Sequence, residues 1–129
     1  LGAYPSRFFF FFKELLRIPY TYQDNIEMDM PIPVWDAEKF LKGKAGIQVL
    51  DFHPFYVYTN ASSMKGFEKV KMMGRPFNEL SEKELLPHRR QGDGARRMFI
   101  SALDYLAKHG GGCLMKQIAA FNETGGPQK

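Results

Sequence analysis

Gly46-Ile47-Gln48-Val49-Leu50-Asp51-Phe52-His53-Pro54-Phe55-Tyr56-Val57-Tyr58-Thr59-Asn60 is the stretch on which the rest of the chain can be hung. Gly46 releases the chain from a basic turn. Ile47, Val49 and Leu50 are apolar and suit a pleated backbone, so a strand is expected over 47–52. It ends by setting Asp51, His53, Thr59 and Asn60 among aromatic residues. Pro54 has no N–H for a ladder, so pairing must stop or bend there, and it biases His53 to an extended backbone. Open and closed α/β sheets put their chemistry at such strand mouths. The competing reading is a core histidine whose ring is satisfied by a backbone carbonyl, and the residues alone do not separate the two.

Upstream, 19–23 (Pro-Tyr-Thr-Tyr-Gln) reads as a short strand that runs into Asp24 and Asn25. Met30-Pro31-Ile32-Pro33 is a loop, since two prolines forbid a helix interior. Asp36 is placed to cap a short helix over 37–42 that Gly43 stops. Strand, helix, strand at this spacing is the signature of a βαβ unit with parallel pairing. Of the carboxylates near the strand ends, Asp24, Glu27, Asp29 and Asp51, Asp24 is best placed to share an edge with His53. Before these elements, 8–17 is expected to be a helix that Pro19 ends. The chain starts at Leu1 and enters this hydrophobic element with no partner upstream. It is therefore expected to be the C-terminal part of a longer protein.

Downstream, a helix is expected over 64–73, and another short helix or irregular excursion over 77–86, where Ser81 and Glu84 form a capping-box pattern. A basic loop follows, and then the clearest helix, 95–109. Met98, Ala102, Tyr105 and Leu106, with Phe99 and Leu103, give it a broad apolar face. Asp93 is the expected N-cap. Gly110-Gly111-Gly112 ends it, 113–121 forms a last short element, and 122–129 is expected to be a disordered tail.

Composition narrows the classes. With 129 residues, 44% hydrophobic and 25% charged, the chain suits one globular domain, taken here as 1–121. The five consecutive phenylalanines from Phe8 fall far short of the ~20 apolar residues of a bilayer span, and Lys13, Glu14 and Arg17 follow with no small-residue cleavage site. A net charge of +4 is mild for a dedicated nucleic-acid binder, and no nucleic-acid partner is expected. Cys113 is alone, which leaves no disulfide framework or cysteine cage and fits a cytoplasmic location.

Of the three histidines, His109 falls in a last helical turn, where a cation suits the helix dipole, and His88 lies in the basic loop. No local spacing resembles a metal motif, so no metal ligand is assigned. Arg75, Arg89, Arg90, Arg96 and Arg97 form a basic cluster beside Gly92-Asp93-Gly94. A solvated face is the simpler reading of it, an anion site the sharper one.

The combination Ile18-Pro19-Tyr20…Asp24-Asn25, the stretch 46–60 and Gly92-Asp93-Gly94-Ala95 resembles the C-terminal part of divergent polysaccharide deacetylases, the NodB-homology carbohydrate esterases. The resemblance spans about 15–120 and is most specific at His53-Pro54. It implies an α/β fold, the C-terminal part of a deformed parallel (β/α) barrel with peripheral helices, whose site lies at the C-terminal strand ends. It implies metal-dependent removal of N- or O-acetyl groups from sugars. His53 matches the late histidine that protonates the leaving amine or alkoxide, and Asp24 the late carboxylate beside it. Asn25 stands where this branch often has a second aspartate. Tyr22, Trp35 and Asn60 are expected on the substrate side. The divalent metal, expected to be zinc, would belong to the full-length protein and not to this chain alone, with base and ligands in the upstream part of the same barrel. The partner is an acetylated carbohydrate, and no membrane segment is expected. The alternatives are a small basic α/β module for an anionic partner and a catalytically inactive family member.

Overall fold

The computed structural model describes residues 9–11 and 15–118. The first described elements correct an expectation. In place of a helix over 8–17, β1 (Phe9–Phe11) pairs antiparallel with β2 (Leu15–Arg17), Phe10 opposite Leu16. An unbroken aromatic run has no 3.6-residue stripe, and aromatic residues favour strands.

The central pairing follows the sequence. β3 (Tyr22–Gln23) and β4 (Leu50–Asp51) are parallel neighbours, with Tyr22 opposite Leu50 and Gln23 opposite Asp51. Both are shorter than expected, but Thr21 lengthens the junction. Its N–H donates to Val49 O at 2.8 Å, and its Oγ1 accepts from Val49 N at 3.1 Å. Two helices occupy the crossover, α1 (Asp24–Glu27) and α2 (Ala37–Leu41). Asp36 caps α2 by accepting from Lys39 N at 2.9 Å, and Gly43 ends it at φ +73°, where a side chain would be strained.

Pro54 does more than stop the strand. It is the first residue of α3 (Pro54–Thr59), so the stretch after His53 is helical. A proline ring fixes φ for a helix start and its missing N–H costs nothing there. Asn60 closes α3 in the left-handed conformation, φ 50° and ψ 46°. The chain continues through α4 (Lys65–Lys71), the 3₁₀ turn Phe77–Glu79, α5 (Glu82–Leu85) with its Ser81–Glu84 capping box, and the 3₁₀ turn Leu86–His88.

The long helix α6 (Ala95–Lys108) organises the packing. Ala37, Ala61, Ala95 and Ala102 are buried where α2, the end of α3 and α6 meet, and small residues let backbones approach closely. Ala37 N donates to Ser101 Oγ at 2.8 Å, which donates to Met98 O at 2.9 Å. The apolar face of α6 is wider than the surface packed on it: Met98 and Ala102 are buried, whereas Leu103 and Leu106 are exposed. The N-cap of α6 is Gly94, not Asp93, whose carboxylate pairs with Arg97. A Cβ on Gly94 would lie 2.4 Å from Asn60 O, so only glycine fits this approach. Residues 115–118 form a helical turn; the expected tail, 122–129, lies outside the described residues. No helix among the described residues is long and apolar enough to cross a membrane.

Candidate functional site

The parallel pairing brings the ends of β3 and β4 side by side. Asp24, the first residue of α1, follows β3 directly, and His53 follows β4 by two residues. Their side chains meet. His53 Nδ1 donates to Asp24 Oδ1 at 2.6 Å, and His53 N donates to Asp24 Oδ2 at 2.8 Å. Asn25 N adds a bond to Oδ1 at 2.8 Å. Asp24 is 0% exposed, and these three donors satisfy a carboxylate that would otherwise be costly to bury. The His53 side chain is 44% exposed. A carboxylate only accepts, so Nδ1 carries the proton toward Asp24, and Nε2 is left as the nitrogen able to exchange a proton with a bound molecule. The core-histidine reading fails on this geometry: the ring is half-exposed and its partner is a carboxylate, not a backbone carbonyl.

Tyr56 completes the local frame. Its ring lies 5.1 Å from that of His53, and its phenol is held above the ordinary range by burial and then by the Asp24 charge. Sequence reasoning missed it because no element is assigned to 55–58, so nothing places Tyr56 on the face of His53. With Pro54 taken as the first helical residue, Tyr56 stands three residues after the N-cap His53, on the same face.

The residues expected on the substrate side are all buried. Tyr22 is 3% exposed, with its ring 5.1 Å from Phe40 and 5.6 Å from Phe52. Its hydroxyl has no hydrogen-bond partner among the described residues. Burial first, then Glu27 and Asp24, push its phenol far above the ordinary range, so it stays protonated. Trp35 is buried in the same core. Asn60 is buried too, and its amide is fully engaged. Nδ2 donates to Arg90 O at 3.1 Å and Gly92 O at 3.0 Å, while Oδ1 accepts from Arg96 N at 3.1 Å and Arg97 N at 3.3 Å. Asn60 thus caps α6 from another segment of the chain.

The other carboxylates serve the scaffold. Asp51 accepts from Gln23 Nε2 at 2.9 Å, Glu27 accepts from Val34 N, and Asp29 is exposed. His109 Nδ1 lies 2.8 Å from Tyr105 O, at the end of α6. Among the described residues no three His, Cys, Asp or Glu side chains are grouped as a metal would require. Asp24 is fully buried and already accepts three hydrogen bonds, so the exposed ligand of the pair is Nε2 of His53, and the pair does not by itself fit a divalent ion.

A family model described as WbmS-like polysaccharide deacetylase matches residues 2–71, a span that contains Asp24 and His53. No curated protein and no solved structure matches the chain.

Proposed function

The chain belongs to the WbmS-like polysaccharide deacetylase family, and on that premise we propose that it supplies the late-histidine part of a hydrolase that removes N- or O-acetyl groups from sugars. The observation that carries the reading is the His53 Nδ1 to Asp24 Oδ1 bond of 2.6 Å at the C-terminal ends of two parallel strands. Barrel enzymes work at that edge, and the strand–helix–strand order suits a part of such a barrel.

In this reading His53 is the general acid. When the tetrahedral intermediate collapses, the bond from the acetyl carbon to the sugar nitrogen or oxygen breaks. The proton on His53 Nε2 passes to that leaving atom and acetate remains. Asp24 is a positioning residue: it holds Nδ1–H and, through the backbone N–H of His53, fixes the ring to its strand. Tyr22 and Trp35 pack in the core and support the pair from within, and Asn60 fixes the start of α6. The base and the divalent ion implied by the family, zinc by expectation, are assigned to parts of the protein other than the described residues.

The test is acetate release from an acetylated oligosaccharide by the full-length protein. His53→Ala should lower kcat by ~10²–10⁴ with little change in KM, and the variant should still fold, with a lower melting temperature because buried Asp24 loses one of its three donors. Undiminished activity would remove His53 from the chemistry.

A further inference from the structure

On the far side of α3, the basic run is folded into a hollow. Arg89, Arg90, Arg96 and Arg97 line a cavity of about 560 Å³, floored by Asn60 and walled by Leu86 and Ile100. That volume is in the range of small-molecule sites, roughly 300–1,000 Å³. Arg97 is neutralised by Asp93. Among the described residues Arg89, Arg90 and Arg96 have no carboxylate partner. Arg75, grouped with them in the sequence, is elsewhere and pairs with Glu84 at 2.6 Å. Three uncompensated guanidiniums in one concavity repel one another, and an anion with several oxygens relieves this best, because the guanidinium fork matches phosphate geometry.

A second hollow of about 450 Å³ adjoins the first and shares Arg96 and Ile100 with it. Its surface is mainly apolar, from Phe52, Val57, Tyr58 and Phe99. Arg89 lies over the Tyr58 ring, 5.7 Å from its centroid, so this ring stands between the cationic and apolar parts. The backbone carrying the arginines is set by Asn60, which grips Arg90 O, Gly92 O, Arg96 N and Arg97 N. The cationic wall is therefore built from a clamped loop and a helix end and is not a loose surface run.

We propose that the joined hollows bind an organic diphosphate, the diphosphate against Arg89, Arg90 and Arg96 and its organic body on the aromatic groove. The proposal does not rest on the deacetylase reading, although Phe52 and Pro54, on either side of His53 in the chain, border the apolar hollow. A nucleoside diphosphate and a diphosphate-linked sugar or lipid share this chemistry, and the experiment separates them.

Calorimetry on the full chain at low salt would use uridine diphosphate, inorganic pyrophosphate and a short-chain prenyl diphosphate as probes. At least one organic diphosphate should bind about tenfold more tightly than pyrophosphate. The tighter of the two identifies the body that the groove takes. Arg90→Gln with Arg96→Gln should weaken that binding at least tenfold, since charge-assisted bonds are lost. Phe99→Ala should weaken the organic ligand and leave pyrophosphate unchanged, with circular dichroism confirming that each variant is folded. Arg75→Gln, outside both hollows, should bind as the unaltered chain does. No binding of any probe, pyrophosphate as tight as both organic ligands, or arginine variants that bind normally would overturn the proposal.

Discussion

Replacing Asn60 with alanine should destabilise the protein by about 3–4 kcal/mol. Its side chain is 5% exposed and serves both ends of one junction. Loss of Oδ1 strips α6 of the acceptor for Arg96 N and Arg97 N, and an N-cap is worth ~1 kcal/mol. Loss of Nδ2 leaves the carbonyls of Arg90 and Gly92 without that donor, at ~1 kcal/mol net each. Alanine must also adopt φ 50°, where its Cβ costs ~1 kcal/mol. The four effects share one site and add imperfectly, which places the total slightly below their sum. Asn60→Gly removes the same hydrogen bonds without that backbone strain and should be about 1 kcal/mol more stable than Asn60→Ala. Urea denaturation followed by far-UV circular dichroism measures both. An alanine variant that loses less than ~1 kcal/mol, or a glycine variant no better than alanine, would refute the clamp.

Two further predictions follow from single groups. Tyr22→Phe removes a buried hydroxyl with no partner among the described residues, so stability in urea should rise by about 1 kcal/mol; a loss of that size would show that the hydroxyl is bonded. Glu84 is held below the usual carboxylate range by the Ser81 backbone N–H, then the Ser81 hydroxyl, with Arg75 adding to this. A lowered folded value means that its contribution is present above the unfolded value and is lost as pH falls through the folded one. Amide protection factors in α5, corrected for the intrinsic exchange rate, should therefore fall on acidification, and Glu84→Gln should abolish that dependence; an unchanged acid dependence in the variant would contradict it.

Local signals were legible where a residue type has one mechanical use. Asp36 capping α2, Gly43 ending it and Ser81 with Glu84 forming a box were all readable because each is settled within four residues. The parallel β3–β4 pairing was readable from element order, and it brought Asp24 to His53. The misplaced elements share a physical origin, aromatic residues that suit both periods. A helix is expected over the phenylalanines of 8–12, and those of β1 pair as strand; no element is expected over 55–58, which folds as α3. At 54 the proline fits a strand end and a helix start equally, and only tertiary packing chooses. The role of Asn60 as the cap of α6 spans more than thirty residues and has no local trace, so Asp93, the nearest capping type, was chosen instead.

The central claim is that His53 and Asp24 act as one unit, through Nε2 of the ring. The measurement is a double-mutant cycle on deacetylation kinetics of the full-length protein with His53→Ala, Asp24→Asn and both, with melting curves for each. If Asp24 works by holding the His53 ring, the double variant should be no slower than His53→Ala alone, within about twofold, because a positioning residue has nothing left to position. Rate losses that multiply in the double variant would show two independent contributions and contradict the account.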